Sequence, residues 1–299
     1  RLRLLRDLAH LGTIAAVAHA HSYTPSAVSQ QLAALQRDAG VQLLEHTGRR
    51  VRLTAAGSSL VRHTETVLAT LETATAELAA ARTGLSGTVR IGAFPSAVRT
   101  LLPQALVTLG RDHPALDLMV TELDPVAVPA ALRDRQLDVA LLHDYDIVPA
   151  EPDPSLESIP LLDETVFLAV PDDAVEAGEA AGDAVAGARH ADWIVASPGT
   201  LCHAVTMLAC QAAGFAPRVR HHADDFAAVL ALVAAGQGVS LVPQLGAAQP
   251  PPGVRFVPLP ARRRTRIGYR RGAGAHPAVA ACVTALRSST SAYLRQSSG

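Results

Sequence analysis

At 299 residues the chain has room for two domains and a sizeable core. Its 26 basic residues, all arginine, nearly balance 27 acids for a net charge of −1, which excludes a molecule held to polyanions over its whole surface. The 3 cysteines, an odd number, argue against a disulfide framework and for a reducing compartment.

The first elements form a basic module. Residues 1–54 hold Arg1, Arg3, Arg6, Arg37, Arg49, Arg50 and Arg52 against Asp7, Asp38 and Glu45, a local excess of positive charge that suits a polyanion partner. The chain opens on Arg1-Leu2-Arg3 without a starting Met, read as a few missing residues, and shows no secretory leader pattern. Leu4, Leu5, Leu8 and Leu11 recur at helical spacing and Gly12 stops that helix. Thr13 caps a second, short helix over residues 14–20, and His21–Tyr23 make a turn. Thr24-Pro25 starts a third helix, with Thr as N-cap and Pro where its missing N–H costs nothing. Gly40 ends it. Two short strands joined at Thr47-Gly48 then form a wing.

On the third helix Val28, Leu32 and Leu35 share a face that packs on the first two helices. Ser26, Ser29, Gln30, Ala33 and Arg37 lie on or beside the opposite face. A face of short polar side chains on a capped helix is what the major groove of DNA admits: Ser and Gln bond base edges, and Ala33 can touch a thymine methyl. Arg49 and Arg50, at the wing tip, are placed to neutralise phosphate. Taken singly, each arginine reads equally well as a solvated surface charge.

Residues 55–82 contain no proline and only Gly57, so one long helix is expected. Thr64, Leu71 and Leu78 fall at heptad position a, with Leu60, Val67, Ala74 and Ala81 at d. That seam is short and small-sided, so it needs further contacts to hold a dimer; a helix packed on its own domain is the alternative. A linker over residues 83–87 follows.

Beyond it strands alternate with helices. Strands are expected over 89–93, 116–123, 138–142, 166–170, 193–196, 239–242 and 266–269. Helices are expected over 98–111, 126–135, 202–213, 226–235 and 277–294. The alternation predicts a doubly wound α/β architecture, in two lobes. Residues 172–187 read as a helix or surface excursion. The longest apolar run, Phe226–Ala235, is too short to span a bilayer, and the expectation is a soluble, cytoplasmic protein without a membrane partner.

The segments from Thr24 to Glu45 and from Thr47 to Gly57 carry a resemblance. They are similar to the N-terminal domain of LysR-type transcriptional regulators, and Gly87–Gly92, Leu137–Leu141 and Gly236–Pro243 recur in the same family's style. The resemblance implies an α+β multi-domain protein: a winged helix-turn-helix over 1–54, a dimerising linker helix over 55–82, and a two-lobed effector domain over 83–299. That domain would be like a periplasmic binding protein, with lobe I over about 87–163 and 265–299 and lobe II over about 164–264. It implies double-stranded DNA and a small-molecule effector as partners and assembly as a dimer or dimer of dimers; no cofactor and no enzymatic activity are expected. Thr24, Pro25, Ser26, Ser29, Gln30, Ala33, Arg37, Arg49 and Arg50 are the expected DNA contacts. Three positions depart from the family. His21 stands where Leu is usual and is expected to be buried, Pro25 replaces Gln, and His46 replaces Arg, a loss expected to flatten the salt dependence of DNA binding.

Effectors in such folds sit at strand carboxyl ends and helix N-termini. That rule selects Phe94–Ala97, Glu122–Asp124, His143–Tyr145 and Ser197–Thr200, and from them Ser96, Ala97, Glu122, Leu123, His143, Asp144, Ser197 and Thr200, with His203 one turn further on. Ser96 and Thr200 are the best partners for a carboxylate, although each is also an ordinary N-cap. Asp124, Asp144 and Asp146 would repel an anion, so an amine- or amino-acid-bearing effector stays open. Cys202 and Cys210 offer thiol redox sensing as an alternative, since a helix N-terminus can lower a thiol's pKa; eight residues of helix, about 12 Å, stand against it. An α/β enzyme or a transport-type binding protein is the rival of another class. No phosphate-binding loop, nucleophile elbow or metal-ligand spacing supports an enzyme. His221 and His222 beside Asp224 and Asp225 do not make a metal site, because adjacent histidines point apart. The arginines at 262–264, 266, 270 and 271 are expected on the exposed face of an edge strand.

Overall fold

The computed structural model describes residues 1–47, 50–81, 84–149, 152–173 and 184–297. Helix α1 (Leu2–Leu11) closes on Gly12, whose left-handed φ of 74° lets its amide reach the Leu8 carbonyl. Helix α2 (Ile14–Ala20) is capped by Thr13 and α3 (Pro25–Ala39) by Thr24, each hydroxyl accepting an amide at 3.1 Å. Leu4, Leu5, Leu8, Val17, Val28, Leu32 and Leu35 bury together, as the spacing predicts. Strands β1 (Leu44–Thr47) and β2 (Arg50–Leu53) pair antiparallel. Gln36 Oε1 accepts from the amides of Leu43 and Leu44 and ties the hairpin to α3. His21 departs from expectation. It is half-buried at the module's edge, because Asp7 Oδ2 lies 2.6 Å from its Nε2 and supplies the polar partner that a buried leucine would not need.

Helix α4 (Ala55–Ala80) runs 26 residues. Its first turns pack back on the N-terminal module through Leu60 and Val61, and Thr64 is buried. Further along it meets the C-terminal half. Glu72 is shared by Arg135 and Arg270, and a Cβ on Gly272 would stand 2.3 Å from the Ala69 carbonyl.

The C-terminal half begins with β3 (Gly87–Ala93), α5 (Pro95–Thr100), α6 (Leu102–Asp112), β4 (Leu116–Glu122), α7 (Val128–Arg133) and β5 (Val139–Tyr145). Then come β6 (Leu156–Pro171), α8 (Ala184–Gly187), β7 (Asp192–Val195), α9 (Leu201–Ala212), β8 (Arg218–His222) and α10 (Phe226–Ala234). Last are β9 (Ser240–Pro243), β10 (Val254–Arg270) and α11 (Pro277–Ser297). One six-stranded sheet runs β4-β3-β5-β10-β6-β9. β7 pairs with β8 and touches β9 through a parallel bridge, Trp193 to Val239. Two main cores result. One gathers Val89, Ile91, Leu101, Leu109, Ile267 and Leu286; the other gathers Val166, Leu168, Trp193, Val205 and Leu241.

β6 and β10, of 16 and 17 residues, pass from one core to the other and are the only long strands among the described residues. The sequence suggested only their ends, 166–170 and 266–269. Pro160, Pro258 and Pro260 and the arginine run disguise the rest, and the pairing is interrupted between Pro258 and Arg262 and between Thr265 and Arg266. The edge-strand expectation for the arginines is overturned. β10 is interior, paired to β5 on one side and β6 on the other. Four of its arginines meet acids, Arg262 with Asp163, Arg263 with Glu164, Arg264 with Asp144 and Arg270 with Asp138, while Arg266 donates to Ser158.

Candidate functional site

Two surfaces collect the residues singled out by sequence. On α3, Ser26, Ser29, Gln30 and Arg37 are exposed and Ala33 is half-buried, opposite the buried Val28, Leu32 and Leu35. Thr24 and Pro25, at the helix start, are exposed too. Arg49 lies outside the described residues, as do the side chains of His46 and Arg50.

The second surface lies where the crossing strands meet the first turns of α5 and α9. Ser96, on α5, and His143, on β5, two of the residues selected by the strand-end rule, are buried there. The structure adds partners that the sequence did not single out. Arg263, on β10, is wholly buried; its Nε and Nη2 each donate to a different oxygen of Glu164, on β6, at 2.9 Å. The same carboxylate accepts from Thr265 Oγ1 and from the Leu245 amide, both at 2.9 Å. Burial works against the guanidinium charge, and Glu164 more than offsets it, so the Arg263 pKa is raised. Arg263 Nη2 reaches Ser96 Oγ at 3.3 Å, and the guanidinium lies 4.8 Å from the Phe94 ring centre.

His143 is wedged edge-on between Phe94 and Tyr145, with ring centres 4.7 and 5.3 Å away. Burial, reinforced by the charge of Arg263, pulls its pKa well below the ordinary value, so the imidazole is neutral. His143 Nδ1 and Arg263 Nη1 are buried without a hydrogen-bond partner among the described residues. Tyr145 Oη lies 3.6 Å from Cys202 Sγ. Contrary to the helix-terminus argument, burial pushes the Cys202 thiol up, and Cys210 is pushed up to about 12.

Other selected residues serve elsewhere. Ala97 is core packing in the first lobe and Leu123 packs beside Val128 and Leu132. Asp144 points to the opposite face of β5, where Arg264 donates to it at 3.0 Å. Glu122 is exposed. Thr200 caps α9 by accepting from the His203 amide and donates to the Ser197 carbonyl. The Ser197 amide and hydroxyl both donate to Asp224 at 2.7 Å. The acidic pair Asp163-Glu164 and the run Arg262–Arg264 were the available signal for Glu164 and Arg263; register, which a single sequence does not print, paired Arg263 with Glu164.

A helix-turn-helix module followed by two lobes on a pair of crossing strands is the build of a ligand-responsive regulator. Family models agree. "Bacterial regulatory helix-turn-helix protein, lysR family" matches residues 1–58 and "LysR substrate binding domain" matches residues 82–291. The chain belongs to the LysR family of transcriptional regulators. It is 31% identical over 277 residues to a "Probable hydrogen peroxide-inducible genes activator" of Mycobacterium avium, covering 92% of this chain and 84% of that one. It is 29% identical over 290 residues to the DNA-binding transcriptional dual regulator OxyR of Escherichia coli, covering 90% of each. Among solved structures, an OxyR mutant of Corynebacterium glutamicum superposes with a TM-score of 0.60 at 25% identity, over 99% of this chain and 92% of that one. No helix among the described residues is long and apolar enough to cross a membrane.

Proposed function

We propose that this LysR-type regulator reads DNA with α3 and changes its grip when a small molecule settles between the two lobes. Ser26, Ser29, Gln30 and Ala33 meet base edges in the major groove. Thr24, Pro25, Arg37, Arg49 and Arg50 hold the backbone beside them. Residues 1–54 form the reading module, 55–82 the dimerising helix, and 83–299 the effector domain, lobe I over about 87–163 and 265–299 and lobe II over about 164–264. The effector lies against Ser96 and His143, with Phe94, Tyr145, Arg263 and Cys202 around them, and the protein works in the cytoplasm by binding rather than by catalysis. The observation that carries this is the exposed polar face of α3, opposite a sealed aliphatic face, inside a segment matched to the family's helix-turn-helix.

A gel shift on DNA upstream of the regulator's own gene tests it at low ionic strength. The wild-type chain should bind a discrete site. Gln30→Ala should lose about 1–3 kcal/mol of discrimination at one base position, whereas Arg37→Ala should lower affinity evenly and reduce the salt slope by about 1. No shifted band, or a Gln30→Ala pattern identical to wild type, would defeat the reading.

The names of the relatives favour a second reading, thiol sensing by Cys202 and Cys210. Geometry opposes it: both sit on the unbroken helix α9, about 12 Å apart at Cα, and burial raises both thiols. Mass spectrometry after mild peroxide decides, and a bridge between residues 202 and 210 would establish the thiol reading.

A further inference from the structure

The floor and the mouth of the cleft between the lobes make opposite electrostatic demands. On the floor, Arg263 is cancelled by Glu164 and His143 is neutral, so the site offers hydrogen bonding without net positive charge. Arg263 Nη1, fully buried, has no acceptor among the described residues, and Ser96 Oγ, which accepts from Nη2, keeps its own proton to donate. A buried donor left unmatched is costly, and a ligand that supplies an acceptor recovers that cost.

The mouth carries two carboxylates. Asp124 ends the loop after β4 and accepts only the Val126 amide at 2.9 Å; Asp224, on the other lobe, holds Ser197. Neither meets a cationic side chain among the described residues, although the neighbouring Asp225 is paired across the lobes with Arg99 at 3.1 Å. Partial burial, and then the like charge of Asp224, push the Asp124 carboxyl up, so the two acids oppose each other with the lobes in this arrangement. Asp124 follows Leu123, whose amide donates to the Ala93 carbonyl at 3.0 Å next to Phe94, and Asp224 precedes Asp225, whose partner Arg99 lies one turn along α5 from Ser96, so floor and mouth belong to one small site.

A simple carboxylate would satisfy the floor and add a third negative charge to the mouth. A simple amine would satisfy the mouth and leave Arg263 Nη1 unmatched. We propose that the cleft takes a zwitterion of the α-amino-acid class, its carboxylate accepting from Arg263 and Ser96 and its ammonium seated between Asp124 and Asp224. This rests on the effector-cleft reading above. Seating an ammonium there also removes the repulsion between the lobes, so the ligand favours the closed cleft.

The full-length protein should be titrated by thermal shift and calorimetry with the twenty standard α-amino acids. Each is accompanied by its deaminated acid and its decarboxylated amine. At least one amino acid should raise the Tm by several degrees, and neither of its halves should do so at the same concentration. Asp124→Asn with Asp224→Asn should weaken binding by about 10- to 100-fold, and Ser96→Ala, which spares the buried ion pair, should weaken it in the same direction. Failure of all twenty to bind overturns the proposal. Binding of a deaminated acid or an amine alone, lost in Ser96→Ala, overturns the zwitterion and leaves the effector cleft standing. An amino acid that binds equally well to every one of these variants overturns both.

Discussion

His143 sets how the fold answers to acid. Its imidazole is packed between Phe94 and Tyr145 beside a buried guanidinium, and its pKa in the folded chain lies well below the ordinary value. Unfolding frees it to titrate near 6.5, so below that pH the unfolded chain binds a proton that the folded chain refuses. Stability therefore falls as pH drops through about 6.5, down to the depressed folded value, and is unaffected by this group above it. At pH 5.5 the contribution is about 1.4 kcal/mol. Urea unfolding at pH 7.5 and 5.5 checks this: His143→Gln should lose less stability on acidification than wild type, by about that amount. Equal losses would remove His143 as the cause. Arg263 and Glu164 behave differently, because each is charged and matched by the other. Arg263→Met leaves a buried carboxylate unpaired and should cost about 3–5 kcal/mol, read as a lowered urea midpoint; the double change with Glu164→Leu should recover most of it.

Among elements, α4 has two employments along one helix. Its N-terminal turns serve the winged module, where Leu60 packs and Thr64 is buried. Its later heptad positions are left out of the fold: Val67, Leu71 and Leu78 are 49%, 54% and 72% exposed. Large aliphatic side chains at a and d spacing on an exposed helix mark a face that a second helix covers. Leu71→Glu with Leu78→Glu should give a monomer by light scattering and weaken DNA binding at least about tenfold, since each leucine contributes about 1.5–3 kcal/mol when buried. The helicity of the isolated chain should hardly change. A dimer that survives both substitutions would show that other surfaces hold it.

At the scale of the whole molecule, β10 joins the buried Arg263–Glu164 pair to α4. It carries Arg263, buried beside Glu164, and, near its end, Arg270, whose Nε lies 3.3 Å from Glu72 Oε2 on α4. Arg135, just after α7, meets the other oxygen of the same carboxylate. Gly272 lets the chain after β10 lie against Ala69, a distance no side chain would permit. β10 thus runs without a break in the chain from the Arg263–Glu164 pair to direct contact with α4. Glu72→Gln weakens two contacts with arginine at a largely buried position and should cost about 1–3 kcal/mol. Differential scanning calorimetry should then show the N-terminal module melting a few degrees lower, separated from the lobes. An unchanged thermogram would mean that Glu72 does not couple them.

The local grammar of the chain was readable without coordinates. Thr13, Thr24, Gly12 and Gly40 mark helix ends by chemistry that acts within a few residues, and the stripe Val28, Leu32, Leu35 defines the buried face of α3 by periodicity alone. The same reasoning placed Ser96 and His143 near strand ends. It could not show that residues 254–270 are one interior strand, because partners far away in sequence decide whether a run of arginines is exposed or matched. Register against Asp163, Glu164 and Asp144 is what turned that run from a basic edge into an interior strand whose arginines meet acids. The pKa values of His143 and Cys202 likewise follow from burial, which depends on how the lobes pack and is invisible to a pattern of neighbours along the chain.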